Sequence, residues 1–127
     1  MKFEFCQDLI WIPIEIVYEG NIITVEDCIL DTGSATTAID IDLVPFNYQK
    51  IAFIRRLRGL GGGTQEIVCQ TIDRFSIDNE ELCSIEVEFG DISSHFGING
   101  FIGNDILQHF LLMVNFPKRE IEMTLQK

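Results

Sequence analysis

Ile29-Leu30-Asp31-Thr32-Gly33-Ser34-Ala35 is the stretch on which the reading of this chain turns. A buried-strand pattern delivers a carboxylate straight into a tight glycine turn. A carboxylate so placed sits at the end of a rigid element, with the backbone amides of the turn close enough to orient it. An Asx-type turn at any strand end has the same local pattern, so the surrounding sequence has to discriminate.

Outward from this turn, the dominant signal is alternation with a period of two, punctuated by Gly and Asn turns. Ile10, Ile12, Ile14 and Ile16 line one face of a strand running to about Tyr18. Glu19-Gly20-Asn21 is a tight turn, and Ile22 to Leu30 reads as the returning strand. Pro13 cannot donate to a ladder, which predicts an edge position or a bulge there. Thr36-Thr37-Ala38-Ile39 is a short β-rich piece, and Ile41 to Val44 fits one helical turn stopped by Pro45. Ile51 to Leu57 and Glu66 to Thr71 flank the glycine-rich tip Gly59-Leu60-Gly61-Gly62-Gly63. Thr71 to Ile77 and Leu82 to Phe89 form a further hairpin across Asp78-Asn79. After the Asn99-Gly100 turn, Phe101-Ile102-Gly103 leads into a helix over 104–110, with Asn104 as its N-cap. Leu111 to Phe116 and Glu120 to Leu125 close the chain. The expected fold is therefore all-β with one short C-terminal helix, in one domain spanning residues 1–127.

Composition sets the outer limits. The chain has 127 residues, 46% of them hydrophobic, and a mean hydropathy of +0.19, which excludes intrinsic disorder. Lys and Arg total 9 against 20 Asp and Glu, a formal charge of −11. Such acidity argues against nucleic acid as a partner, because phosphate binding needs a clustered positive footprint. The one basic cluster, Arg55-Arg56 with Arg58, is short and isolated. No apolar run is long enough to span a bilayer, and Met1-Lys2-Phe3-Glu4-Phe5 lacks the form of a secretion signal. The expectation is a cytoplasmic protein with no membrane partner. Its cysteines, Cys6, Cys28, Cys69 and Cys83, show no metal-ligand spacing and are expected to be reduced thiols. With His95 and His109 the only histidines, neither a metal nor a cofactor is implied.

The ordered set of Asp-Thr-Gly-Ser turn, glycine-rich hairpin tip and Phe101-Ile102-Gly103 before the helix closely resembles the retropepsin-like aspartic proteases, the single-domain, homodimeric branch of the pepsin clan. The resemblance covers most of the chain, from Leu9 to Leu125, and implies a closed or partly open β-barrel of the acid-protease type. On it, Asp31 matches the catalytic aspartate. Thr32 matches the threonine that braces two active-site loops across a dimer axis. Gly33 allows close approach, and Ser34 matches the small residue that hydrogen-bonds the outer oxygen of the aspartate. Gly61, Gly62 and Gly63 look like a flap tip closing over substrate. Phe101, Ile102 and Gly103 resemble the psi-loop that supports the active-site loop. Asp105 falls at the helix start, where an anion is favoured, and reads as structural rather than catalytic.

The chemistry of that family needs two carboxylates, and this chain carries one Asp-Thr-Gly. The resemblance therefore implies a homodimer acting on a peptide or protein substrate, with Asp31 from each subunit activating a water. Lys2 to Phe5 and Glu120 to Leu125 are candidate dimer strands. Two other readings stay open: a peptide-binding or scaffold module of this fold that cleaves little or nothing, and a monomer without an active site.

Overall fold

The structure is a computed structural model and describes residues 1–58 and 64–126. Short two-residue turns organise its hairpins. Strand β1 (Glu4–Cys6) turns through Gln7-Asp8 into β2 (Leu9–Tyr18), which turns through Glu19-Gly20 into β3 (Asn21–Leu30). Farther along, β6 (Thr64–Ile77) turns through Asp78-Asn79 into β7 (Glu80–Gly90). All six turn residues have positive φ, between 49° and 78°. Turns with both central residues left-handed match the natural twist of paired strands, and Gly, Asn and Asp tolerate that conformation best.

Between these hairpins lie β4 (Ala38–Asp40), a 3₁₀ turn at Ile41–Leu43 just ahead of Pro45, and β5 (Phe53–Arg58). The C-terminal part adds α1 (Ser93–Phe96), β8 (Gly100–Ile102), α2 (Asn104–Leu107), β9 (Phe110–Asn115) and β10 (Glu120–Leu125). The main sheet runs β1-β2-β3-β8-β4-β7-β6-β5, and β2 also pairs with β6 through Glu15↔Ser76, Ile16↔Phe75 and Val17↔Arg74. Strands β2, β3, β8, β4, β7 and β6 thus close a hydrogen-bonded ring, an all-β barrel. Alternation fills it: Ile12, Ile14, Ile16 and Tyr18 from β2 meet Ile72, Phe75 and Ile77 from β6, Val87 and Phe89 from β7, and Ile102 from β8.

Pro13 marks a bulge. The β2–β3 register passes from Ile12↔Cys28 to Ile14↔Val25, so the extra residue lies on β3, where Asp27 has φ 55°. A proline without an N–H breaks the ladder at this point. The carbonyls released on β3 are taken up by Asn99, whose N–H reaches Asp27 O (3.1 Å) and whose Nδ2 reaches Glu26 O (2.9 Å). Asn99 in turn seats β8 beside β3 as a parallel partner, with Leu30 opposite Ile102.

Two expectations are corrected. The segments Glu66 to Thr71 and Thr71 to Ile77 are one continuous strand, β6, which pairs with β5 over Thr64–Cys69 and with β7 from Val68 to Ile77. The C-terminal helix is a single turn ending at Leu107, because only Ile106 and Leu107 have a core to meet before Phe110 joins β9. A second one-turn helix, α1, precedes it. The two chain ends also pair with each other inside one subunit: Phe3 N–H donates to Arg119 O (3.0 Å), Ile121 N–H donates to Met1 O (2.9 Å), and Lys2 bridges Glu120. An Nζ–carboxylate contact of 3.0 Å between Lys2 and Glu120 holds the Glu120 carboxyl below its ordinary range.

None of the four cysteines forms a disulfide. Burial, reinforced by the neighbouring Asp27 and Glu26, pushes the Cys28 thiol up to about 12 from an ordinary 9.0. The folded state therefore favours the protonated thiol. Its contribution is complete below pH 9.0 and is lost as pH rises towards about 12. In that interval wild-type unfolding free energy should fall with pH more steeply than that of Cys28→Ala, by up to about 1.4 kcal/mol per pH unit. Urea titrations at stepped alkaline pH measure this, and equal slopes would contradict it.

Candidate active site

Asp31 stands immediately after β3, where the chain leaves the barrel wall. Its backbone N–H donates to Ile102 O on β8 (2.9 Å), so the carboxylate is carried by two parallel strands and not by a free loop. Gly33 N–H donates to Asp31 Oδ1 (3.0 Å), and Ser34 N–H closes the turn on Asp31 O (3.2 Å). Among the described residues Oδ2 receives no hydrogen bond, and Asp31 is half-buried. One carboxylate oxygen is thus held by the turn and the other left open to a ligand or a second copy. A Cβ on Gly33 would sit 3.2 Å from Oδ1, a tight approach that glycine avoids.

The turn is clamped from behind by the start of α2. Asn104 N–H donates to Ser34 O (2.8 Å), Asp105 N–H to Ala35 O (3.2 Å), and Asn104 Nδ2 to Thr32 O (2.7 Å). The cap position of α2 belongs to Gly103, without a side-chain cap, and not to Asn104 as the sequence suggested. Gly103 has no alternative: a Cβ there would lie 2.2 Å from Thr36 O and 2.8 Å from Ser34 O.

At the centre of the clamp is Thr37, fully buried. Its hydroxyl donates to Asp105 Oδ1 (2.7 Å) and accepts from Gly103 N–H (2.9 Å), while its own N–H donates to Asp105 Oδ2 (3.1 Å). Asp105 Oδ1 also accepts from Ile106 N–H (2.8 Å). The Asp105 carboxylate thus accepts three donors, two of them from Thr37, and ties the loop to the helix. Beside it Thr36 Oγ1 donates to the buried Glu88 carboxylate on β7 (3.0 Å).

The structure brings Asp31, Thr32, Gly33 and Ser34 together with Ile102 and Gly103. Ser34 behaves differently from what the resemblance implied: its hydroxyl donates to Thr36 O (2.8 Å) instead of the Asp31 carboxylate, its single proton being committed within the turn. Thr32 is exposed, and Phe101 packs towards the small cluster of Ala38, Ile92 and Ile98. Gly61, Gly62 and Gly63 lie outside the described residues. Thr37 and Glu88 were missed. Thr37 stood in a β-rich stretch with no outward sign of its hydrogen bonds, and Glu88 alternates with Val87 and Phe89 as a solvent-facing residue would.

The family model for retroviral aspartyl protease matches residues 13–115, which contain the whole of this constellation. The chain belongs to that family. Among solved structures, this member of the retroviral aspartyl protease family is similar to a retropepsin-like aspartic protease from Rickettsia conorii. The two are 16% identical, with a TM-score of 0.58 over 91% of this chain and 83% of that one. At that identity the likeness speaks for the fold alone. No curated protein matches the chain significantly. Among the described residues no group of three or more His, Cys, Asp or Glu side chains is disposed to hold a metal ion, and no helix is long and apolar enough to cross a membrane.

Replacing Thr37 by the isosteric Val keeps the volume but leaves the buried Gly103 N–H without this acceptor and the part-buried Asp105 carboxylate one donor short. Thr37→Val should destabilise the protein by about 2–3 kcal/mol. Thr37→Ser, which retains the hydroxyl, should lose clearly less. Urea denaturation of the two variants side by side measures the difference, and equal losses would place the effect in the methyl group instead.

Proposed function

We propose that this protein is a homodimeric aspartic endopeptidase in which Asp31 of two subunits forms the catalytic dyad. The observation that carries the reading is the Asp31-Thr32-Gly33 turn, hydrogen-bonded into Ile102, Asn104 and Asp105 in a chain of the retroviral aspartyl protease family. Each subunit contributes one domain and one carboxylate, and the exposed Thr32 braces the two turns against each other. Two carboxylates held about 3 Å apart cannot both ionise, so the pair shares one proton. The ionised member takes a proton from water as it attacks the scissile carbonyl, and the protonated member donates to the carbonyl oxygen. The proton then passes to the leaving amine. The chain works without metal or cofactor, in the cytoplasm, on an extended peptide covered by the β5–β6 hairpin.

Turnover of a peptide library should fall by about 10³-fold or more in Asp31→Asn. Equal turnover would remove Asp31 from the mechanism. Peptide affinity that survives the substitution, with no cleavage by either protein, would instead identify a peptide-binding module. Each subunit carries a formal charge of −11, so assembly works against mutual repulsion that salt screens over a Debye length of about 10 Å at 0.1 M. Sedimentation should therefore show tighter dimerisation as salt is raised, and also as pH is lowered towards the pI of 4.4. A strict monomer under all these conditions would rule out the dyad.

A further inference from the structure

The pairing of β5 with β6 ends at Phe53↔Cys69. The next residue on β6, Gln70, turns its side chain into the interior and is 2% exposed. Its Oε1 accepts from the Tyr18 hydroxyl (2.6 Å), and its Nε2 donates to Asn47 O (3.0 Å). The Tyr18 oxygen accepts from Asn47 N–H (2.8 Å). Both backbone polar groups of one loop residue are thus held by two buried side chains, one from β2 and one from β6, in a closed cycle.

The surroundings give this cycle a purpose. Phe46, next to Asn47, stacks on Tyr18 (centroids 6.2 Å apart, 12° between planes) and meets Phe89 edge-on. Beyond Asn47 the chain has little apolar anchorage: Ile51 is 86% exposed and Phe53 65%. Lys50 supplies a second polar tie, donating to Thr71 O (2.7 Å) and pairing with Glu19 (3.4 Å). An apolar pair of similar volume would serve the barrel core equally well. Two polar side chains aimed at the backbone of Asn47 serve the loop, and the loop is the root from which β5 departs.

We propose that Tyr18 and Gln70 are positioning residues that latch Asn47 and thereby set the root of the β5–β6 hairpin, the arm that covers bound peptide. The assignment of that arm rests on the function proposed above; the latch itself does not. The latch acts on substrate only through the hairpin, so its loss weakens peptide binding and leaves the chemical step at Asp31 intact.

The variants are Tyr18→Phe, which keeps the ring and removes the oxygen, and Gln70→Met, which keeps the length and removes both polar atoms. In the full chain, amide exchange over residues 47–58 should rise about tenfold, one hydrogen bond's worth, while residues 110–125 stay within twofold of wild type. Peptide cleavage should show a severalfold higher KM with kcat within twofold. Exchange that rises equally in both regions, or a KM that stays put while residues 47–58 loosen, overturns the proposal. So does failure of both variants to fold, which would make the pair ordinary core. If the wild type cleaves no peptide, the endopeptidase reading fails by itself. The exchange comparison then still decides the latch.

Discussion

The site depends on one constraint: the Thr37 hydroxyl must sit between the Gly103 N–H and the Asp105 carboxylate. A hydroxyl both accepts and donates, so this one atom pair joins the strand after the aspartate turn to the start of α2. The Thr37 and Gly103 side of the joint is buried, and the part-buried Asp105 carboxylate accepts three donors from this segment. Gly103 is part of the same constraint, because the joint brings its Cα within reach of the Thr36 and Ser34 carbonyls, where a side chain cannot fit. The Asp31 turn inherits its rigidity from this joint through Asn104 and Asp105.

A second dependence runs through a defect. Pro13 interrupts the β2–β3 ladder, and the displaced, exposed residues Glu26 and Asp27 of β3 present two carbonyls to a neighbouring segment. Asn99 takes both, and this brings β8 alongside β3 at the height needed for Ile102 O to meet the Asp31 N–H. The bulge is thus a docking feature for the supporting loop and not a flaw tolerated at an edge. Gly100 completes the fit, since a Cβ there would lie 2.7 Å from Ala38 O.

Local chemistry made much of this legible. The turns at Glu19-Gly20 and Asp78-Asn79, the bulge at Pro13 and the carboxylate after Leu30 all follow from residues that restrict their own backbone. The misses have the opposite character. Nothing in Thr71 indicates that β6 continues through it, because the strand is defined by two different neighbours. Helical propensity over 104–110 yields to β9, which needs Phe110 for its pairing with Leu125. Glu88 has the pattern of a surface residue yet is buried, because both faces of β7 are covered where β4 adds to the barrel. Gln70 and Tyr18 meet across 52 residues of chain, a partnership no window of sequence contains.

The closed ring has a kinetic consequence. Its seams join distant parts of the chain: β2 to β6, and β3 to β8. Such non-local pairing pays loop-closure entropy before contacts repay it, which slows folding relative to local topologies. The aspartate turn is a clear case: among the described residues the distant groups hydrogen-bonded to it are Ile102 O, Asn104 and the Asp105 N–H. While the chain is being made from its amino end, Asp31 emerges early and waits for that segment. Until then the carboxylate hangs on an unsupported loop, and a nascent or truncated chain lacking residues 102–105 carries the aspartate without its geometry.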